Sequence, residues 1–355
     1  ILVATSGDTG KAALEGFRDV DRTKILVFYP KDGVSDIQKL QMVTQEGENT
    51  GVCAVIGNFD DAQTGVKRIF SDPVLRERLA ADGKLLSSAN SINWGRVLPQ
   101  IVYYISAYCD LLASGAIRMG EKIDFCVPTG NFGNILAAYY AKRMGLPVGK
   151  LICASNSNDV LTEFIRTGVY DRNRPFHATM SPSMDILISS NLERLLYLLS
   201  GSDEAVRGYM RQLSETGRYA VTPELHAKIL ESFACGCCDE ASTAETIGRV
   251  FKERSYLIDT HTAVAWNVLE QFRRESGSRS MSVVVSTASA FKFCASVLTA
   301  LGVEKQAEGT QILRQLSETT GWPVPKPLAA LDGKKIRFTK AVQKTEMADA
   351  VMELL

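Results

Sequence analysis

The residues best placed to do chemistry lie in the run Pro128-Thr129-Gly130-Asn131-Phe132-Gly133-Asn134. Phe125 to Val127 ahead of it is an apolar run suited to a buried parallel strand. Ile135 to Met144 behind it reads as a helix stopped by Gly145 and Pro147. Two glycines in such a turn free the backbone to aim several N–H groups at one point, where the helix N-terminus adds its positive end. The chemistry on offer is anion binding, phosphate above all. The alternative is a tight turn with Asn131 and Asn134 as helix caps, and the loop alone leaves both readings open. No Gly-Lys-Ser/Thr follows, so this is not a nucleotide-triphosphate loop of the Walker type.

A second turn of the same kind, Thr5-Ser6-Gly7-Asp8-Thr9-Gly10, follows the apolar run Ile1 to Ala4 and opens a helix over Lys11 to Phe17. Ser6, Asp8 and Thr9 either bind a ligand or cap that helix. Ser91, Asn93 and Arg96 combine two neutral donors with a guanidinium, a set suited to a phosphate dianion. The competing reading there is a capped helix start with a solvated arginine. Polar side chains also follow apolar runs at Ser155 to Asp159, Asp259 to Ala263 and Ser286 to Ser289. Cys235-Gly236-Cys237-Cys238 lacks the second ligand pair that a zinc site needs, so no metal is expected. His261, in a helix-opening Thr-His-Thr, is expected to make a structural hydrogen bond.

The elements that must position these residues alternate. Strands are expected at 25–28, 52–56, 125–127, 151–154, 256–258 and 281–285. Helices are expected at 35–46 with Ser35 as cap, at 61–69, across 191–199, 203–213 and 223–235, and from about 311 onward. Val102, Ile105, Leu111 and Leu112 are expected to mark the buried face of another helix. Such alternation predicts an α/β fold with parallel sheets. In open sheets of this kind ligands sit at the carboxyl ends of strands, where the polar clusters fall.

The chain has 355 residues, 45% hydrophobic and 23% charged, enough for two domains with real cores. Lys+Arg and Asp+Glu both number 40, so no global field favours nucleic acid or an anionic membrane, and neither is an expected partner. No apolar run reaches the length of a membrane span. Most of the eight cysteines are scattered, which suits a reducing, cytoplasmic setting. Ile1 opens inside an apolar run without an initiator Met, and the chain is read as a fragment.

Five separated stretches together resemble threonine synthase, a fold-type-II enzyme family that uses pyridoxal 5'-phosphate (PLP). They are Thr5 to Gly10, Asn90 to Arg96, Pro128 to Asn134, Asp259 to Ala263 and Ser286 to Phe293, in the family's order over most of the chain. Ser181-Pro182-Ser183-Met184-Asp185-Ile186 is similar to a further family segment.

The resemblance implies a two-domain fold-type-II PLP enzyme, tryptophan synthase beta-like, with parallel sheets and helices on both faces. Residues 1–14 would belong to the cofactor core, 15–105 to a small α/β domain and 106–355 to a large PLP-binding domain. It implies that Gly130, Asn131, Phe132, Gly133 and Asn134 hold the cofactor phosphate, with Asp8 beside the cofactor and Thr287 facing its ring nitrogen. Ser6, Thr9, Ser91, Asn93 and Arg96 would bind the substrate. The implied reaction turns O-phospho-L-homoserine and water into L-threonine and phosphate, in threonine biosynthesis. The family's Schiff-base lysine is expected upstream of Ile1; Lys292 lies in a different motif and is not put in its place. A fragment without that lysine is expected to be inactive. Rival readings are a PLP-dependent phospho-lyase releasing 2-oxobutyrate and a non-catalytic phosphate-ligand binding module. A monomer or homodimer is expected.

Overall fold

The structure, a computed structural model, describes residues 1–354. Backbone contacts divide the chain into two compact units: residues 1–93, 290–299 and 303–355 in one, and 94–289 with 300–302 in the other.

The first unit begins β1 (Leu2–Ala4), α1 (Asp8–Gly16), β2 (Ile25–Pro30), α2 (Asp36–Val43), β3 (Thr50–Ile56), α3 (Phe59–Ser71) and α4 (Pro73–Ala81). β2 is buried at every residue, as a strand covered on both faces must be. α2 starts in a capping box, with Ser35 Oγ accepting from Gln38 N and Gln38 returning a bond to the Ser35 N–H. α4 starts at Pro73 behind an Asp72 cap. Val3, Val27 and Val52 pack with Leu14 of α1 and Met42 of α2.

The second unit runs α5 (Trp94–Val97), α6 (Gln100–Ala113), β4 (Ile123–Pro128), α7 (Gly133–Arg143), β5 (Val148–Ser155), α8 (Val160–Thr167) and β6 (Val169–Asp171). It continues through α9 (Leu192–Ser200), α10 (Asp203–Thr216), β7 (Arg218–Ala220), α11 (Pro223–Ser232), β8 (Phe233–Cys237), α12 (Glu240–Arg254), α13 (Thr260–Ser276) and β9 (Ser282–Val284). Its sheet has the order β8-β5-β4-β9, all parallel, with Cys126 opposite Ile152 on one side and Val284 on the other. Successive β4 residues point to opposite layers. Phe125 meets the Tyr104 ring of α6 edge-on at 5.0 Å, while the Cys126 thiol donates to Ala265 O of α13. β6 and β7 form a separate antiparallel ribbon in which Tyr170 stacks on Tyr219.

α14 (Cys294–Ala300), α15 (Gln311–Thr320), α16 (Lys326–Ala329), β10 (Ala341–Gln343) and α17 (Met347–Leu354) complete the chain. β10 joins the first sheet beside β3, giving the all-parallel order β1-β2-β3-β10. α17 covers the face away from Val52: a Cβ on its neighbour Gly51 would lie 3.0 Å from Leu354 Cδ1.

Several expectations from the sequence are corrected. Residues 303–355 belong with the N-terminal sheet through β10, and residues 1–14 supply that sheet's edge strand, so the units do not follow the divisions 1–14, 15–105 and 106–355. On α6 the buried residues are Ile101, Tyr104 and Tyr108, whereas Val102 is 60% exposed. Phe233–Cys237 is a strand rather than the end of a helix, and residues 256–258 form no strand. No helix among the described residues is long and apolar enough to cross a membrane.

Candidate active site

In the second unit the polypeptide leaves β4 through Thr129, whose backbone N–H still bonds to Ala154 O and whose hydroxyl turns back to Val127 O at 2.7 Å. The chain then turns at Phe132, which adopts the left-handed conformation (φ 59°) with its ring buried. That conformation is an outlier for a bulky residue and costs about 1–3 kcal/mol, held here by packing against Phe233. α7 begins at Gly133 with no side-chain cap, so its first-turn N–H groups stay available to an external acceptor. The capping alternative is thereby removed. Asn134 Oδ1 instead accepts from Tyr104 Oη at 2.6 Å, and Asn131 Oδ1 from Ser190 Oγ at 3.0 Å.

A strap from Thr179 to Asn191 holds this loop. Ser189 Oγ donates to Gly130 O at 2.7 Å and Asn191 Nδ2 to Asn131 O at 2.9 Å. Ser183 O lies 2.7 Å from where a Gly130 Cβ would stand, so only glycine lets the two backbones approach this closely. The strap is in turn fixed by Asp185, which accepts from Thr179 N, Thr179 Oγ1, Asn156 Nδ2 and Asn158 Nδ2 at 2.6–3.1 Å. Burial pushes the Asp185 carboxyl above its usual range, partly offset by those donors. Asn156 and Asn158 follow β5, in the polar run that the sequence places at a strand end. Sequence reading missed the strap's roles; the SPSMD segment was the signal that pointed to it.

His261 has the structural role expected of it. Its Nε2 accepts from Ser183 N at 3.2 Å, while Nδ1 meets Asp259 Oδ1 at 3.0 Å. Asp259 caps α13 through His261 N and Thr262 N. Burial alone would raise the Asp259 carboxyl, but His261, Thr262 and the backbone N–H bring it below its ordinary value. Thr262 Oγ1 also reaches Ser286 Oγ at 3.1 Å, which ties down the chain leaving β9. Thr287, next along, is exposed.

Because β4 and β9 are adjacent and parallel, Gly130–Asn134 and Thr287 emerge at the same end of neighbouring strands. The chain leaves β4 to form β5 on one side, and β9 returns on the other. The space beyond β4 and β9 is therefore a topological switch point, where open α/β sheets take ligands.

In the first unit, α1 likewise starts without a side-chain cap, behind Gly7 at φ 138°. The Thr5 hydroxyl oxygen accepts from Gly7 N and Gly10 N, holding the turn closed. Capping by Ser6, Asp8 or Thr9 is thus excluded. Asp8 Oδ1 accepts from Gln38 Nε2 at 3.0 Å and pairs with Lys292 Nζ at 2.8 Å. Asn90 bonds both the N–H and C=O of Ala4, which brings the segment carrying Ser91 and Asn93 beside this turn. Asn93 is exposed and donates to Ser88 O at 3.0 Å. Arg96, on α5 of the second unit, is half-buried and enters no salt bridge among the described residues.

Burial raises Cys235 and Cys238 to about 11 and Cys237 above its ordinary value, which disfavours the thiolates that would bind metal. Among the described residues no group of three His, Cys, Asp or Glu is placed to hold a metal ion.

No family model matches the chain. Threonine synthase-like 1 of Macaca fascicularis is 45% identical over 313 residues, covering 86% of this chain and 42% of that protein. The chain thus spans about two-fifths of the length of this curated relative. The crystal structure of PLP-bound threonine synthase from Brucella melitensis superposes with a TM-score of 0.80 at 38% identity, covering 99% of this chain and 70% of that one. Threonine synthase from yeast superposes at 0.82 with 33% identity, covering 99% of this chain and 68% of that one.

Proposed function

The chain belongs to the threonine synthase family, and on that premise we propose that it forms the catalytic body of an enzyme converting O-phospho-L-homoserine and water into L-threonine and phosphate. The observation that carries this reading is the switch point beyond β4 and β9, where an uncapped helix N-terminus and Thr287 stand at adjacent strand ends. The residues fit PLP. A phosphate has N–H donors at the start of α7, and the turn ahead of them is closed by Ser183 so tightly that a Cβ on Gly130 would block it.

When bound, PLP supplies an electron sink that stabilises negative charge at the substrate's carbons. The chain's own groups do the rest. The turn Gly130–Asn134 would hold the cofactor phosphate. The Thr287 hydroxyl would face the ring nitrogen and, carrying no charge, would leave it largely unprotonated. Ser6, Thr9 and the remaining free N–H groups opening α1 would hold a substrate carboxylate, and Ser91, Asn93 and Arg96 would hold a substrate phosphate. The Lys292 ammonium is engaged by Asp8, and we do not give it the covalent role. The eight unpaired cysteines support a reducing, cytoplasmic setting.

Product analysis tests the reaction. PLP-loaded full-length protein incubated with O-phospho-L-homoserine should release phosphate and threonine in equal amounts. Phosphate with 2-oxobutyrate and ammonia would identify a phospho-lyase instead. Binding without release of either would leave a phosphate-ligand binding module.

A further inference from the structure

Asp8 is an unexpected residue to find opening a turn that receives an anion. It occupies the first position of α1, and its carboxylate stands beside the N–H groups that would hold a substrate carboxylate. Left to itself it would either take those donors or repel the incoming charge. Two residues from elsewhere in the first unit draw it aside. Lys292, in the one-turn helix Ala290–Lys292, places Nζ 2.8 Å from Asp8 Oδ1. Gln38, 1% exposed, donates to the same oxygen at 3.0 Å. Gln38 cannot swing away, because its Oε1 accepts from Ser35 N at 3.3 Å and its amide fills the space a Gly7 Cβ would need, 2.4 Å distant. The pair is only partly exposed, 22% for Lys292 and 29% for Asp8, so solvent screens it incompletely. Lys11, the other cation near the turn, is committed to Glu15 at 3.0 Å and to Gln45.

Resting on the reaction proposed above, we propose that Lys292 is a specificity-determining residue: by neutralising Asp8 it makes the Ser6–Gly10 turn receptive to the substrate's carboxylate. Lys292 acts through Asp8 and takes no part in the chemistry. Removing its charge leaves an uncompensated carboxylate at the anion's landing site; removing both charges restores neutrality. A role in packing alone would show no such recovery.

The test is a cycle in the PLP-loaded full-length enzyme of Lys292→Met, Lys292→Arg, Asp8→Asn and the Met/Asn double variant. KM and kcat are measured for O-phospho-L-homoserine, with Kd for the same molecule by calorimetry. Lys292→Met should raise KM and Kd on the order of tenfold, the size of coupling expected between charged groups in contact, with a smaller change in kcat. Lys292→Arg should stay close to the unmodified enzyme, and the double variant should recover most of the lost affinity. An unchanged KM in Lys292→Met, or a double variant no better than Lys292→Met, overturns the inference. If Lys292→Met does not fold, Asp8→Asn decides alone: it retains the ammonium without the carboxylate and should lower KM, and a rise overturns the proposal. Absence of turnover by the unmodified enzyme defeats the reaction instead, and the Kd values for the four variants then judge the inference by themselves.

Discussion

Gly130→Ala tests the loop most directly. The added Cβ would sit 2.7 Å from Ser183 O and 3.4 Å from Met184 Cα. Ordinary carbon–oxygen contacts begin near about 3.3 Å, so roughly 0.6 Å must open between the two backbones. Ser183 is poorly placed to yield, since its N–H bonds to His261 and Asp185 anchors the same strap through four donors. The loop must shift instead, straining the Ser189 bond to Gly130 O. Overpacking of this kind costs about 1–3 kcal/mol. Part of the cost appears in stability and part in misdirected N–H groups, so the PLP Kd should rise by about ten- to a hundredfold, each decade being about 1.4 kcal/mol. The assay pairs a PLP titration, followed by the cofactor's absorbance, with urea unfolding of the PLP-free protein. Unchanged PLP affinity together with an unchanged unfolding midpoint would refute the reasoning, because it would mean the strap does not press on the turn.

Three further outcomes are expected. On the proposed reading Arg96→Ala would remove a charge-assisted contact worth about 1.5–3 kcal/mol, so KM for O-phospho-L-homoserine should rise while PLP affinity stays unchanged; equal loss of both would make Arg96 a structural residue. On the same reading Thr287→Asp would place a carboxylate at the ring nitrogen and should shift both the absorbance of the PLP-loaded enzyme and the ratio of threonine to 2-oxobutyrate, whereas identical spectra and products would show that Thr287 does not face the ring. Asp259, whose carboxyl lies below its reference value of 3.8, contributes stability that is complete well above that pH and lost as pH falls through the lower native value. Asp259→Asn should therefore flatten the acid limb of a urea-midpoint-versus-pH curve, and an unaltered limb would rule out this carboxylate as its source.

The turns were legible because their residues have few alternatives. Glycines between an apolar run and a helical run mark Gly7 and Gly130, and polar side chains mark the strand ends at Ser155 to Asp159 and Ser286 to Ser289. The α6 face was misread because the helix is apolar nearly all round: Ile101, Val102, Tyr104 and Ile105 give no preferred phase until a partner, here Phe125, selects Tyr104. Phe233 to Cys237 carries β propensity too weak to separate from the preceding helix, and its strand state comes from pairing with Leu151 to Ser155. β10, at three residues, is shorter than any periodicity test can detect. The strap's hydrogen bonds and the Asp8–Lys292 pair join residues far apart in sequence, which spacing cannot reveal.

The way β10 completes the first sheet also has a consequence for biogenesis. Ala341 to Gln343 pairs with Ala54 to Ile56, and Ala54 N bonds to Lys340 O, so contacts nearly three hundred residues apart close that sheet. The second unit's sheet uses only residues between 123 and 284. On a ribosome, the second unit can therefore close while β3 still presents an open, pairing-competent edge. Closing the first unit's sheet thus depends on contacts of large sequence separation, the kind that slows folding.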